Sequence, residues 1–308
     1  VLFRSLGLAA GLDLTVLDGF SIFGANAANV AGANSYAVYL WSCGSGVEIR
    51  GNRVFGGAGG NGIGGFSGDD GLDGFSGVSG AGAEDIGNIA VNGFRFCTDG
   101  FDTNSGGAEG ILTCEDGLNV SGGSGGQSLC PVYGAEPKPD EQGVDGSGPS
   151  PGVGGDAGWD LQFNTYDMCS SCQLAAGNPN IEGLFGSSGL SGQDANGGGG
   201  CGDIVGSVLN GHWIGSPGGS SMAGMHGSGG GGGGAGAGVG IEGNQCFEIG
   251  GMDLGGAGGG GGSGGCAGSG GLSGGGGGGS FGIFAAWAGD APSVPVIEGN
   301  TIRAGAGG

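Results

Sequence analysis

Short runs in which apolar and polar residues alternate recur near both ends of the chain. Residues 35–40 (SYAVYL) lead into residues 47–55 (VEIRGNRVF), and residues 280–284 (SFGIF) lead into residues 296–302 (VIEGNTI). A third copy at residues 239–247 and a partial one at residues 16–22 follow the same plan. Alternation of this length predicts half-buried strands, and the break at Gly, in three of the four at Gly-Asn, predicts a tight corner between two of them. Asn52, Asn244 and Asn300 hold equivalent corners.

A second period takes over from Gly62, with glycine at 62, 65, 68, 71, 74, 77 and 80. One intervening slot holds Ile63, Phe66, Asp69, Leu72, Phe75 and Val78; the other holds Gly64, Ser67, Asp70, Asp73, Ser76 and Ser79. Three residues per turn is the polyproline II repeat, so such a helix presents a glycine edge, an apolar edge and a polar edge. The same phase returns at residues 183–192, 215–236 and 256–277. In the last run both other slots are also mostly small, which suits the centre of a bundle with neighbours on every side. A polyproline II helix has no internal hydrogen bonds, so the backbones must pair with one another, and bare glycine edges let them approach. Sorting of Phe and Leu away from Ser and Asp argues against disorder.

Composition narrows this picture. Glycine supplies 93 of 308 residues and proline only 9, which excludes collagen, and so much glycine excludes a helical bundle. The net charge of −22 repels phosphate backbones and anionic headgroups, so no nucleic acid is expected as a partner. No apolar run approaches the length of a membrane-spanning helix, so no membrane insertion is expected. The chain is expected to be a fragment: it lacks an initiator Met, and Leu2 to Ser5 match what a common sequencing adapter encodes, so residues 1–5 are set apart.

Nine cysteines (Cys43, Cys97, Cys114, Cys130, Cys169, Cys172, Cys201, Cys246 and Cys266) lie mostly in glycine-rich surroundings. With little core to bury them, they are read as disulfide candidates in a secreted or cell-surface protein. The Cys169–Cys172 spacing also occurs in zinc and redox motifs, but no second pair accompanies it. Asp69, Asp70 and Asp73 in residues 68–74 are candidate calcium ligands, although the loop matches no regular calcium motif. His212 and His226 stand alone in glycine-rich loops, with a structural or exposed role expected of each. Arg50 and Arg53 flank the Gly51-Asn52 corner and are read as solvated surface groups.

The I-x-G-N-x-(I/V/C) pattern resembles the coils of right-handed parallel β-helix proteins of the pectin-lyase-like class. The resemblance covers residues 12–60 and 280–308 well and residues 239–250 weakly. It implies corner asparagines that tolerate left-handed backbone and stack in a hydrogen-bonded ladder. A β-sandwich with Gly-Asn hairpins is the alternative. The glycine runs, with Cys201, Cys246 and Cys266 in or beside them, resemble the disulfide-tied polyproline II bundles of glycine-rich springtail antifreeze proteins, which are far shorter and lack β-helix coils.

The expected fold is therefore all-β with little or no α-helix: β-helix coils over residues 1–61, a glycine-rich insert over 62–279, and a returning coil over 280–308. Within the insert, residues 84–180 read as less regular, with strands at 89–96 and 159–166. Residues 131–151 read as an acidic, Pro-bearing loop without periodicity, part of it disordered. Proteins of the β-helix class are often polysaccharide lyases or hydrolases, which need positioned carboxylates. Here the adjacent acidic pairs at 69–70, 84–85, 115–116 and 140–141 fall in loops or triplet runs. No catalytic or cofactor-binding residue is assigned, and calcium is the only cofactor considered. The leading expectation is a non-catalytic extracellular structural or adhesive protein. The alternatives are ice or polysaccharide binding through a flat face, and then a polysaccharide lyase or hydrolase. The partners considered are extracellular polysaccharide, ice and other surface proteins.

Overall fold

The computed structural model describes residues 2–4, 14–86, 97, 100–132, 135–163, 172–173, 180–200, 205–241, 253–289 and 293–308. Asn244, Cys169, Cys201, Cys246 and the strand expected at 89–96 lie outside them. Among the described residues the chain is all-β, and its only helix is a 3-10 turn at Pro139–Glu141. It divides into two units. The first comprises Val1–Gly68, Asn196–Met222 and Gly270–Gly308; the second comprises Asp69–Ala195 and Ala223–Ser269.

The first unit holds three small parallel sheets, each built from three successive passes of the chain. Ser35–Trp41 lies between Leu2–Arg4 and Ser280–Ala286, Val47–Arg50 between Thr15–Asp18 and Val296–Glu298, and Arg53–Phe55 between Ser21–Phe23 and Thr301–Arg303. The pattern of the sequence explains their core. The inward residues of the alternating runs, Ile22, Val38, Leu40, Ile49 and Val54, bury together with Ala37 and Cys43. Of the disulfide candidates, Cys43 is 3% exposed in this core, and its Sγ donates to the Trp41 carbonyl at 3.6 Å, a place that suits a small apolar side chain.

The corners carry a ladder. Asn52 is buried, and its Nδ2 donates to the carbonyls of Leu17 (2.7 Å) and Arg50 (2.8 Å) while its Oδ1 accepts from the Phe20 amide (2.9 Å). Asn300 repeats the arrangement one pass on, donating to Ile49 O and Glu298 O and accepting from the Asn52 amide. The left-handed residue is not asparagine, however. Gly19, Gly51 and Gly299 take φ of +75°, +63° and +60°, and after the last two the asparagine side chain reaches across strands. An antiparallel hairpin, Gly206–Leu209 with His212–Gly215, turns at Asn210-Gly211. His212 stacks on Tyr39 at 5.4 Å, so its role is packing.

The second unit has one mixed sheet of short strands, ordered Glu84–Asp85, Asp253–Leu254, Val239–Ile241, Leu161–Phe163 and Cys172–Gln173. Of the strand expected at 159–166, Leu161–Phe163 is formed and residues 164–166 lie outside the description. The rest of the unit is held by hydrogen bonds three residues apart. The carbonyls of Asp69, Leu72, Phe75, Val78 and Ala81 accept, in order, from the amides of Ser269, Cys266, Ser263, Gly260 and Ala257, at 2.8–3.0 Å. Gly227, Gly230, Gly233 and Gly236 bond in the same way to Gly265, Gly262, Gly259 and Gly256. Serine hydroxyls accept amides that the carbonyls leave over: Ser269 from Asp69, Ser263 from Phe75 and Ser187 from Val153.

Segments that looked irregular join the same network. Gly107 and Gly110 donate to Gly258 and Gly261, and Gly123 and Gly126 donate to Gly230 and Gly233. The described part of the loop expected at 131–151 also bonds to this network. Val144 and Ser147 donate to Ser124 and Ser121 and accept from Gly232 and Gly229. Two glycines three apart, Gly143 and Gly146, were enough to seat it.

The central glycine run, residues 227–236, touches neighbours in every row but not equally tightly. A Cβ at Gly229 or Gly232 would lie 1.9 or 2.0 Å from a neighbouring carbonyl oxygen, and at Gly231 or Gly234 2.1 or 2.2 Å. At Gly230, Gly233 and Gly236 the nearest atom is 3.5 Å away or more. At Gly229, Gly231, Gly232 and Gly234 a side chain has no room, although Ser228 and Ala235 are accommodated elsewhere in those rows; the third row is open to a Cβ in ordinary contact.

Candidate functional site

The second unit carries a cleft of about 420 Å³ whose walls come from four separate stretches of the chain. The triplet segment beginning at Asp69 contributes Asp69, Asp70 and Leu72. A tight turn contributes Cys114, Glu115 and Asp116, closed by the Gly117 amide on Cys114 O and by left-handed Gly117, φ +87°. His226 enters at the start of the central glycine run, and Cys266 to Ser269 from the segment facing Asp69.

A disulfide joins Cys114 to Cys266, tying residues 152 apart in sequence. It sits in the small cluster that Leu112, Cys114 and Val120 bury, packed by Leu118. Beside it, His226 is oriented from both sides. The Ala267 amide donates to Nδ1 at 3.0 Å, which leaves the ring proton on Nε2, and Nε2–H donates to Asp116 Oδ2 at 3.1 Å. The other carboxylate oxygen of Asp116 accepts from the Leu118 amide at 3.0 Å. That amide, followed by the imidazole, holds the Asp116 carboxyl below the usual carboxylate range. The ligand-bearing atoms of Cys114, His226 and Cys266 all lie within 4.8 Å of one another.

Of the three calcium candidates, Asp69 and Asp70 line this cleft and Asp73 does not. The Asp69 carboxylate receives the Ser269 hydroxyl at 3.5 Å. The adjacent acidic pairs at 69–70 and 115–116 thus converge, which spacing 45 residues apart gave no means of foreseeing. The sequence did offer a signal for His226: it stands where the glycine phase of 215–236 opens its most regular stretch. What it lacked was a way to place Cys114 and Cys266 opposite one another.

Other groups expected to matter lie elsewhere. A second disulfide joins Cys97 to Cys130. Arg50 pairs with Asp18 (3.3 Å) and Glu48 (3.2 Å) at the exposed corner of the first unit. Carboxyls pushed upward by burial are Glu141, Asp160 and Asp253, and none of them lines the cleft. Asp160 is held by the amides of Val132 (2.7 Å) and Gly238 (2.8 Å), so its role is to pin two backbone segments.

The outer faces of the second unit bear apolar rows. Leu72, Phe75 and Val78, three residues apart, are 56%, 58% and 59% exposed. Leu184, Leu190, Val153, Val144 and Ile111 likewise stand outward on neighbouring segments. No helix among the described residues is long and apolar enough to cross a membrane. Comparison of the chain with family models, curated proteins and solved structures finds no match.

Proposed function

We propose that this is a non-catalytic extracellular adhesive protein that holds surfaces through exposed apolar rows on a glycine scaffold. The carrying observation is the outward row Leu72, Phe75 and Val78. The unit's segments are joined by backbone hydrogen bonds and glycine contacts, so these side chains are surplus to folding, and exposed apolar patches of this kind mark interaction surfaces. Bonding every third residue supports reading the glycine segments as polyproline II helices packed as a bundle, in which such rows repeat about every 9 Å. The three-pass parallel sheets with their asparagine ladder support reading the first unit as coils of a β-helix. Two disulfides favour an oxidising, extracellular setting.

The test is adsorption of the intact chain, and of the L72S/F75S/V78S variant, to insoluble polysaccharide and to an apolar-coated sensor. The variant is expected to lose most of the binding with its circular dichroism unchanged. Equal binding would overturn the reading, as would release of reducing ends or unsaturated products from a polysaccharide. The regular spacing of the rows favours ice as a second reading, and thermal hysteresis of the native chain would select it.

A further inference from the structure

We propose that Cys114, Cys266 and His226 form a zinc site when the Cys114–Cys266 disulfide is reduced, so that one pair of sulfurs serves either as a crosslink or as metal ligands. This does not rest on the adhesive reading. The ligand atoms of the three residues lie within 4.8 Å of one another. In a tetrahedral zinc site with Zn–S near 2.3 Å and Zn–N near 2.0 Å, ligands stand roughly 3.5 Å apart, so the shift required is small. The donor set, two thiolates and an imidazole, is that of zinc rather than of calcium or magnesium.

The imidazole is already arranged for the task. Asp116 holds Nε2–H at 3.1 Å, which fixes the tautomer and leaves Nδ1 as the basic nitrogen. A carboxylate behind a ligating histidine is the usual outer partner in zinc sites. Nδ1 now accepts the amide of Ala267, the residue after Cys266, so its lone pair is directed toward the segment that carries the second sulfur. Metal binding would exchange that hydrogen bond for a coordinate bond. His226 and Cys266 are half-buried and Cys114 is buried, and all three line the cleft. Asp69, Asp70 and Glu115 on the cleft walls make its approach strongly negative, which concentrates cations at the mouth. A fourth ligand would have to come from the cleft, as water or one of its carboxylates.

The chemistry balances with a dithiol as reductant. The S–S bond takes two electrons and two protons to give two thiols while the dithiol closes to its own disulfide. Zinc then displaces both protons as the thiolates bind it.

Cobalt(II) is the probe, since thiolate ligation gives a charge-transfer band and tetrahedral geometry gives intense visible bands. The full chain with C97S/C130S/C169S/C172S, which removes the second disulfide and the cysteine pair separated by two residues, is reduced with a water-soluble phosphine and titrated with cobalt and then zinc. One equivalent of thiolate-ligated tetrahedral cobalt is expected, displaced by zinc, and none in the oxidised chain. H226Q should weaken binding at least 10-fold, and D116N by about 10-fold with the band position kept, as for loss of a group behind the ligand. Adding C114S/C266S should abolish the band. A band that survives in C114S/C266S, or equal affinity in H226Q, overturns the site, and so does an absence of cobalt binding in the reduced parent. If C114S/C266S does not fold, H226Q decides.

Discussion

Both units pack glycine segments backbone to backbone, but the first adds a broader apolar core. It buries Leu40, Ile49, Val38 and Val54 between sheets with positive-φ glycines at the corners, and its segments at 60–66 and 272–278 pair as those of the second unit do. The second has an apolar cluster of only three buried residues, Leu112, Cys114 and Val120, and turns its larger apolar side chains outward. Its packing atoms are carbonyl oxygens and glycine Cα atoms, and its specificity lies in which backbone groups pair. In the first unit a side chain decides where a strand sits; in the second, the absence of one does. Ordering glycine costs about 1 to 2 kcal/mol per residue in backbone entropy, so a dense network of short amide–carbonyl bonds and covalent ties must stand in for a hydrophobic core.

The sharpest way to break this contrast is to add one methyl group in two places. At Gly258 a Cβ would lie 1.9 Å from the Gly233 carbonyl oxygen, whereas at Gly233 itself the nearest atom would be 3.5 Å away. Gly258→Ala must separate two hydrogen-bonded segments and should cost about 3 kcal/mol or more. Gly233→Ala, on the open row, should change stability by less than about 1 kcal/mol and can even raise it by restricting the unfolded chain. Denaturant unfolding of both variants checks this, with hydrogen exchange read in residues 227–237 and 256–266. Equal losses would mean that the open row is not open.

In the first unit the corresponding weak point is polar. Asn52→Ala removes a buried amide and strands the Leu17 and Arg50 carbonyls and the Phe20 amide. The expected loss is about 2 kcal/mol, within the range for buried groups left unsatisfied. Hydrogen exchange should rise at residues 15–23 and 47–55 and remain unchanged in the glycine segments of the second unit. A loss as large as that of Gly258→Ala would show that the ladder, not the apolar core, organises the sheets.

The contrast was only half visible in the sequence. Strand alternation and the Gly-Asn corners located most strands of the first unit, because side-chain pattern and structure share a period there, but not their parallel pairing or the strand Leu2–Arg4, which the sequence set apart. The long triplet runs were equally plain, since seven glycines in phase from Gly62 to Gly80 have no other use. The short segments at 105–113, 120–126 and 143–147 escaped notice: two glycines three apart are common by composition alone in a chain this rich in glycine. What makes them fit is the carbonyl row of the neighbouring segment, which no residue type advertises. The cleft was hidden for the same reason. Cys114, Asp116, His226 and Cys266 converge through backbone register, and register between glycine rods leaves no side-chain trace.

The smallest expected effect concerns charge in the second unit's sheet. Asp253 stands directly opposite Asp85 in the antiparallel pair, and partial burial, then the neighbouring carboxylate, pushes its carboxyl upward. Burial also raises Glu141 and Asp160. A carboxyl raised in the folded chain binds protons that the unfolded chain has already released. Its charged form therefore detracts from stability at neutral pH, and the loss is recovered as pH falls through the raised value toward the ordinary carboxylate range. Mild acidification should thus stabilise the second unit, whereas Asp116, held below the ordinary range, contributes stability that disappears only at lower pH. Asp253→Asn should remove the like-charge pair and raise stability at pH 7 by about 0.2 to 1 kcal/mol, with the gain vanishing in acid where Asp253 would be protonated anyway. Melting followed from pH 7 to pH 4 for both chains checks the sign. A parent chain that weakens steadily over that range would show that its buried carboxyls are held charged, and that the glycine scaffold tolerates buried charge as the apolar core of the first unit cannot.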